Sequence, residues 1–227
     1  MDDSRLAKQV YLQRRQQAGR RFGDWCSQIE KTLISLDLGH LWDSQLVGSE
    51  KDWKTLIRLS IQSREEKEWR EEMLLKPKLR TYRTLKLVLE KEEYLESVKD
   101  NEERRMMTAM RGGTNSLRIE TGRWEGEDLK DRICIICAKG EIEDERHVIL
   151  CCSAYRRERE ILFRTIADRT GFDCHVMSDN PEWLMTLLLG ESCSQKVQRQ
   201  FIQVEVAKFL TAVLRSRSSI FKKIEIA

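Results

Sequence analysis

Apolar residues recur along the chain at spacings of three and four, the pattern of helices that bury one face. Near the start, Leu6, Val10 and Leu12 sit in a basic frame and Trp25, Ile29, Leu33 and Leu36 follow at helical spacing, so residues 4–36 read as one or two helices. The stretch "DLGHLWDSQLVGSEKD" breaks the pattern with its glycines, and Ser49 ahead of "EKD" has the features of an N-cap with acids in the next first turn. Trp53, Leu56, Ile57, Leu59, Ile61 and Trp69 then predict a helix from about 50 to 74 that stops before Pro77.

A third helical stretch is predicted from Lys78 through "KLRTYRTLKLVLEKEEYLESV", and a fourth in "NEERRMMTAMRGG", which the Gly112-Gly113 pair terminates. "SLRIETGRW" instead alternates apolar and polar residues, which predicts a short strand or extended segment. Beyond it, Tyr155, Arg159, Leu162, Phe163 and Ile166 trace a helix ending near Gly171. Asn180 and Pro181 open another helix as cap and first helical residue, and Val197, Phe201, Val204, Ala207 and Leu214 line one side of the last. The segments divide into 1–113, 114–170 and 171–227, or form one continuous domain.

Composition agrees with helix. Only two prolines interrupt 227 residues in which Leu, Glu, Lys, Arg and Gln dominate. The longest apolar run, "WLMTLLLG" at 183–190, is too short to span a bilayer, and the acidic first residues do not resemble a secretory signal. An intracellular chain is expected, and seven cysteines in a reducing compartment point to thiols or metal ligands rather than disulfides. Net charge is only +3, but Lys76, Lys78, Arg80, Arg83 and Lys86 succeed one another without an acid, and Arg104, Arg105, Arg111, Arg118 and Arg123 follow. Such blocks suit a polyanion partner or, equally, a solvated helix face.

The densest chemistry lies in "RICIICAKGEIEDERHVILCCSAY", residues 132–155. Cys134, Cys137, His147 and Cys152 form the pattern C-x2-C-x9-H-x4-C, four ligands in two close pairs suited to tetrahedral Zn²⁺. Four protein ligands close the coordination sphere, which favours one structural zinc over a catalytic one. Gly140 permits a tight turn after the first pair. Cys151 sits one residue from the last ligand position and competes with Cys152 for it. Alternatives are buried sulfur in a core, a thioredoxin-like redox pair that lacks its βαβ context, and a cysteine nucleophile with His147 as base but no orienting acid. The fold class expected is mostly α: a helical bundle with a small zinc-knuckle-like insertion and little β structure.

"KPKLRTYRTLK", "YLESV", "LRIETGRW" and "RICIICAKGEIEDERHVILCC" occur in that order. Together they resemble the C-terminal region of reverse transcriptase polyproteins from animal non-LTR (LINE-type) retrotransposons, well over residues 40–165 and loosely outside them. The resemblance implies a zinc-knuckle-like, nucleic-acid-binding module with Cys134, Cys137, His147 and Cys152 at the ligand positions, in the nucleus or cytoplasm. Ser153 stands where the family usually has proline, and Cys151 where it often has a basic or polar residue. No Tyr-x-Asp-Asp-type pair or endonuclease motif is present, so polymerase activity is not carried over and no enzyme is expected. The expected function is zinc-stabilised binding of RNA or DNA, with Arg80, Arg83, Arg104, Arg105, Arg118 and Arg123 on phosphates. Tyr82 and Trp124 are the candidates for stacking on unpaired bases, with core packing the plainer role for each. The alternative is a helical protein–protein interaction scaffold, binding partner helices through the stripes at 25–36 and 197–214, with the zinc as a staple.

Overall fold

The structure is a computed structural model and describes residues 6–16, 25–46, 48–137, 139–191 and 193–226. Residues 17–24, within the first helical stretch expected from sequence, lie outside the described residues. The chain is mostly α, and the only β pairing among the described residues is a single bridge, Ile133 with Ile142. Two compact units form, residues 1–71 and 72–227. No described helix is long and apolar enough to cross a membrane.

The first unit contains α1 (Leu6–Gln16), α2 (Trp25–Ser35), α3 (Gly39–Ser44) and most of α4 (Glu50–Leu75). Cys26, Leu33, Leu36, Leu38, Leu41 and Trp42 form its core, with Tyr11, Trp53, Ile57 and Ile61 packed against them. The sequence signal at the start of α4 is met: Asp52 N–H donates to Ser49 Oγ at 3.2 Å and Ser49 N–H to Asp52 Oδ2 at 3.4 Å, a reciprocal capping box. Most of α4 is polar, and ion pairs one turn apart, such as Lys54–Glu50 at 2.6 Å and Arg70–Glu66 at 3.9 Å, lie along its surface.

The second unit continues with α5 (Arg80–Leu85), α6 (Tyr94–Ser97), α7 (Asn101–Gly112), α8 (Arg118–Trp124), α9 (Arg156–Thr170), α10 (Pro181–Leu189) and α11 (Lys196–Ile226). α11 is the hub, packed against α6, α7, α9 and α10. Its stripe of Ile202, Val206, Ala207, Leu210 and Val213 is buried in one core with Met107, Met110, Ile149, Ile166, Leu184 and Leu188. This core takes in residues from all three segments drawn from the sequence.

Asn180 caps α10 ahead of Pro181, as expected, and Asp100 caps α7 by accepting from the N–H groups of Glu102 and Glu103, a cap not singled out in the sequence. Gly113 ends α7 at φ 61°, where a Cβ would run into the Lys78 carbonyl oxygen, so both conformation and space demand glycine.

Two stretches differ from the sequence reading. "SLRIETGRW" is not extended: residues 118–124 are the helix α8, with Leu117, Ile119 and Glu120 buried and Gly122 seated against Arg132 and Glu127. Its polar alternation reflects an inward-facing carboxylate, Glu120, rather than a strand face. The predicted helix over 78–98 breaks after Leu85, where Lys86 turns extended and buries its amine 3.4 Å from Glu92. Glu92 also pairs with buried Arg111 at 2.6 Å, so a tertiary ion cluster overrides helix propensity there and leaves Leu87 and Val88 exposed.

Candidate metal centre

Two short backbone devices bring the cysteines and His147 together. In the first, residues 132–143 fold back on themselves: Cys134 N–H donates to the Glu141 carbonyl at 2.8 Å and Glu143 N–H to the Arg132 carbonyl at 2.9 Å. Gly140, at φ 72°, closes the turn between these arms. The turn also aims the N–H groups of Ile136 and Cys137 at the Cys134 sulfur. In the second, residues 147–151 wind as one wide π-type turn, and Cys152 N–H donates to the His147 carbonyl at 2.6 Å.

That wide turn answers the H-x4-C spacing. On a regular α-helix a residue five positions on lies about 140° around the axis, so His147 and Cys152 would face apart. Widening the turn to an i→i+5 bond brings them to one side, a distortion common at functional sites. Arg159 of α9 holds it in place, donating from Nε to the Ile149 carbonyl at 2.9 Å and from Nη2 to the Cys152 carbonyl. The Cys152 carbonyl also accepts the Tyr155 N–H at 3.3 Å, so Arg159 ties the end of the wide turn to the start of the next one.

The ligand atoms of Cys134, Cys137, His147 and Cys152 all lie within 4.8 Å of one another, with Cys137 Sγ 3.4 Å from His147 Nε2. Tetrahedral zinc with Zn–S of about 2.3 Å needs sulfurs about 3.8 Å apart, so the cluster is close to the required size and must contract only slightly. Cys152 is buried and Cys151 exposed, which settles which of the pair joins the cluster. His147 Nδ1 lies 2.8 Å from Glu141 Oε2, and a proton held in that contact leaves Nε2 bare toward the cysteines. Its backbone N–H donates to Asp144 Oδ1 at 2.7 Å, which fixes the start of the turn. Burial pushes the Cys134 thiol upward and the Cys152 thiol up to about 12, so the metal-free cluster holds those protons at neutral pH. These four residues lie close together and could bind one metal ion.

The arginines singled out from sequence are placed very differently from one another. Arg80 is an internal pin, bonding Glu120 through Nη1 and Glu145 through Nη2 at 2.6 and 2.7 Å, and both carboxylates are almost fully buried. Arg123 shares Glu120 at 2.7 Å, and Arg118 pairs with Glu125 at 3.0 Å and with Glu127. Arg83 lies 3.5 Å from the Leu74 carbonyl, and Arg104 donates to the Lys99 carbonyl at 3.0 Å. Tyr82 is half-buried, and burial together with Glu92 pushes its hydroxyl up to about 12. Arg105 and Trp124 are exposed, and Arg105 has no ion pair among the described residues.

Several groups with parts in this site carried no sequence signal: Glu141 beside His147, Arg159 under the wide turn, and the buried pair Glu143–Arg217 at 2.7 Å. Arg146, Arg156 and Arg157, close to the ligands in sequence, are exposed and form no ion pair among the described residues. No protein-family model, curated protein or solved structure matches the chain.

Proposed function

We propose that the chain is a non-catalytic module that holds one structural Zn²⁺ on Cys134, Cys137, His147 and Cys152 and binds RNA or DNA. The observation that carries the metal reading is the convergence of three sulfurs and an imidazole nitrogen within 4.8 Å, three of the four residues being buried. When bound, zinc supplies four ligand bonds tying residues 132–143 to 147–152. Three thiolates, one imidazole and no carboxylate suit zinc better than magnesium or calcium, which favour oxygen. A set of four protein ligands leaves no position for water or substrate, which is why the role is structural.

The nucleic-acid reading draws on the resemblance to the C-terminal region of LINE-type reverse transcriptases and on unpaired surface cations. Arg105, Arg146, Arg156 and Arg157 take over the phosphate-contacting role, while Arg80 and Arg123 serve the buried Glu120 and Arg118 is paired with Glu125 and Glu127 near the surface. Trp124, 62% exposed, is the stacking residue, in preference to half-buried Tyr82. Salt-dependent retention of a single-stranded RNA or DNA oligonucleotide tests this: log affinity should fall linearly with log salt, and Arg146→Glu with Arg156→Glu should flatten the slope. Retention that ignores salt and these arginines sinks it.

The interaction-scaffold alternative loses one of its surfaces. Of the 197–214 stripe, Ala207 and Leu214 are buried in the unit's own core and Phe201 and Val204 are partly buried, so Val197 alone of the five is exposed, whereas α2 keeps Trp25 and Ile29 exposed.

A further inference from the structure

Glu143 sits beside the metal cluster although its charge opposes metal binding there. It is fully buried, and its Oε1 is 4.0 Å from Cys134 Sγ. With a thiol at Cys134 this is a weak S–H donation to a carboxylate. Metal binding removes that proton and leaves a thiolate facing a carboxylate in a buried setting. A zinc on three thiolates and one histidine already carries one net negative charge, so a second anion at this distance weakens binding unless a cation answers it.

The cation comes from far along the chain. Arg217 on α11 donates from Nε to Glu143 Oε1 at 2.8 Å and from Nη2 to Oε2 at 2.7 Å, a bidentate pair with side-chain exposures of 4% and 0%. Arg118 N–H adds a bond to Glu143 Oε2 at 2.8 Å. Among the described residues no other cation pairs with Glu143. The pair is 74 positions apart in sequence, so it joins the knuckle to the C-terminal helix.

We propose that Arg217 is a positioning residue of the metal site. Its guanidinium neutralises Glu143 beside Cys134, so α11 is part of what makes metal binding tight. By linkage, metal occupancy in turn holds the part of α11 around Arg217 in place. This inference rests on the zinc reading above and extends it, since it makes the C-terminal helix the element that senses whether the knuckle is loaded.

The test compares zinc affinity, by competition with a chelating dye, in full-length wild type, Arg217→Met, Glu143→Gln and the double variant. Removing the cation alone should weaken zinc binding by about 10- to 100-fold, the range for lost outer-shell partners. Glu143→Gln with Arg217→Met, which removes both charges, should return affinity to within about threefold of wild type, a strongly non-additive cycle. Arg217→Lys, which keeps the charge, should lie between wild type and Arg217→Met. Hydrogen exchange on the wild type supplies a second readout that does not require Arg217→Met to fold: chelation should speed exchange at 210–221 more than in α2 of the other unit. Zinc affinity of Arg217→Met within about twofold of wild type, or a double variant no tighter than Arg217→Met, overturns the inference. So does exchange at 210–221 that ignores the chelator. A wild type that takes up no zinc overturns the underlying reading instead.

Discussion

Cys152 donates its backbone N–H to the carbonyl of His147 at 2.6 Å, five residues back, and this one bond turns two side chains that an α-helix would separate into neighbours on one side. Cys151 is carried outward by the same turn and is exposed. Cys151→Ser should therefore leave metal stoichiometry at one per chain, while Cys152→Ser should abolish tight binding. Metal content by elemental analysis checks both, and equal losses in the two variants would contradict the geometry.

Glu141 accepts from His147 Nδ1 at 2.8 Å and is itself half exposed, so its contribution is to orient the ring rather than to fill a core. Glu141→Ala should lower zinc affinity by about 10- to 100-fold and leave the stability of the metal-free chain nearly unchanged. Chelator competition and thermal melts of the metal-free protein separate these two effects.

Burial holds the Cys134 thiol above its ordinary value and the Cys152 thiol at about 12, so metal must displace their protons at neutral pH. Apparent zinc affinity should rise steadily with pH across the neutral range, and binding should acidify an unbuffered solution. In the metal-free chain the sign reverses. A thiol with a raised folded-state pKa contributes stability below its unfolded value of about 8.5, and that contribution disappears as pH climbs toward 12. Isothermal titration in buffers of different protonation enthalpy measures the protons released; zero would contradict buried, protonated ligands.

Arg80 lies between two carboxylates that are 0% and 2% exposed. Arg80→Met leaves Glu120 with Arg123 alone and strips Glu145 of its cation, which should cost about 3–5 kcal/mol by denaturant titration. Arg105→Met, at an exposed position, should cost less than about 0.5 kcal/mol. A stable Arg80→Met protein with impaired oligonucleotide binding would return Arg80 to the phosphate-contacting set.

The convergence of Cys134, Cys137, His147 and Cys152 was legible in the sequence because the four residues lie close in the chain, and two short turns suffice to bring them together. Helix ends were legible wherever a local cap decides them, as at Ser49, Gly113 and Asn180. The choice between Cys151 and Cys152 depends on one non-standard turn, which spacing alone does not reveal. The fate of the arginines was least legible: Arg80 meets Glu145 across 65 positions and Arg217 meets Glu143 across 74, and composition counts a paired arginine like a free one. Long-range pairing also misdirected the reading at 116–124, where Glu120 turns inward to Arg80, and at 78–98 Lys86 turns inward to the nearby Glu92, which is itself held by Arg111 of α7.

X-ray absorption at the zinc edge of the purified full-length protein tests the central claim most directly. One zinc per chain, with three sulfurs at about 2.3 Å and one nitrogen at about 2.0 Å, is the result the closed site requires. A folded protein without zinc, or a first shell containing an oxygen in place of one of these ligands, would contradict it.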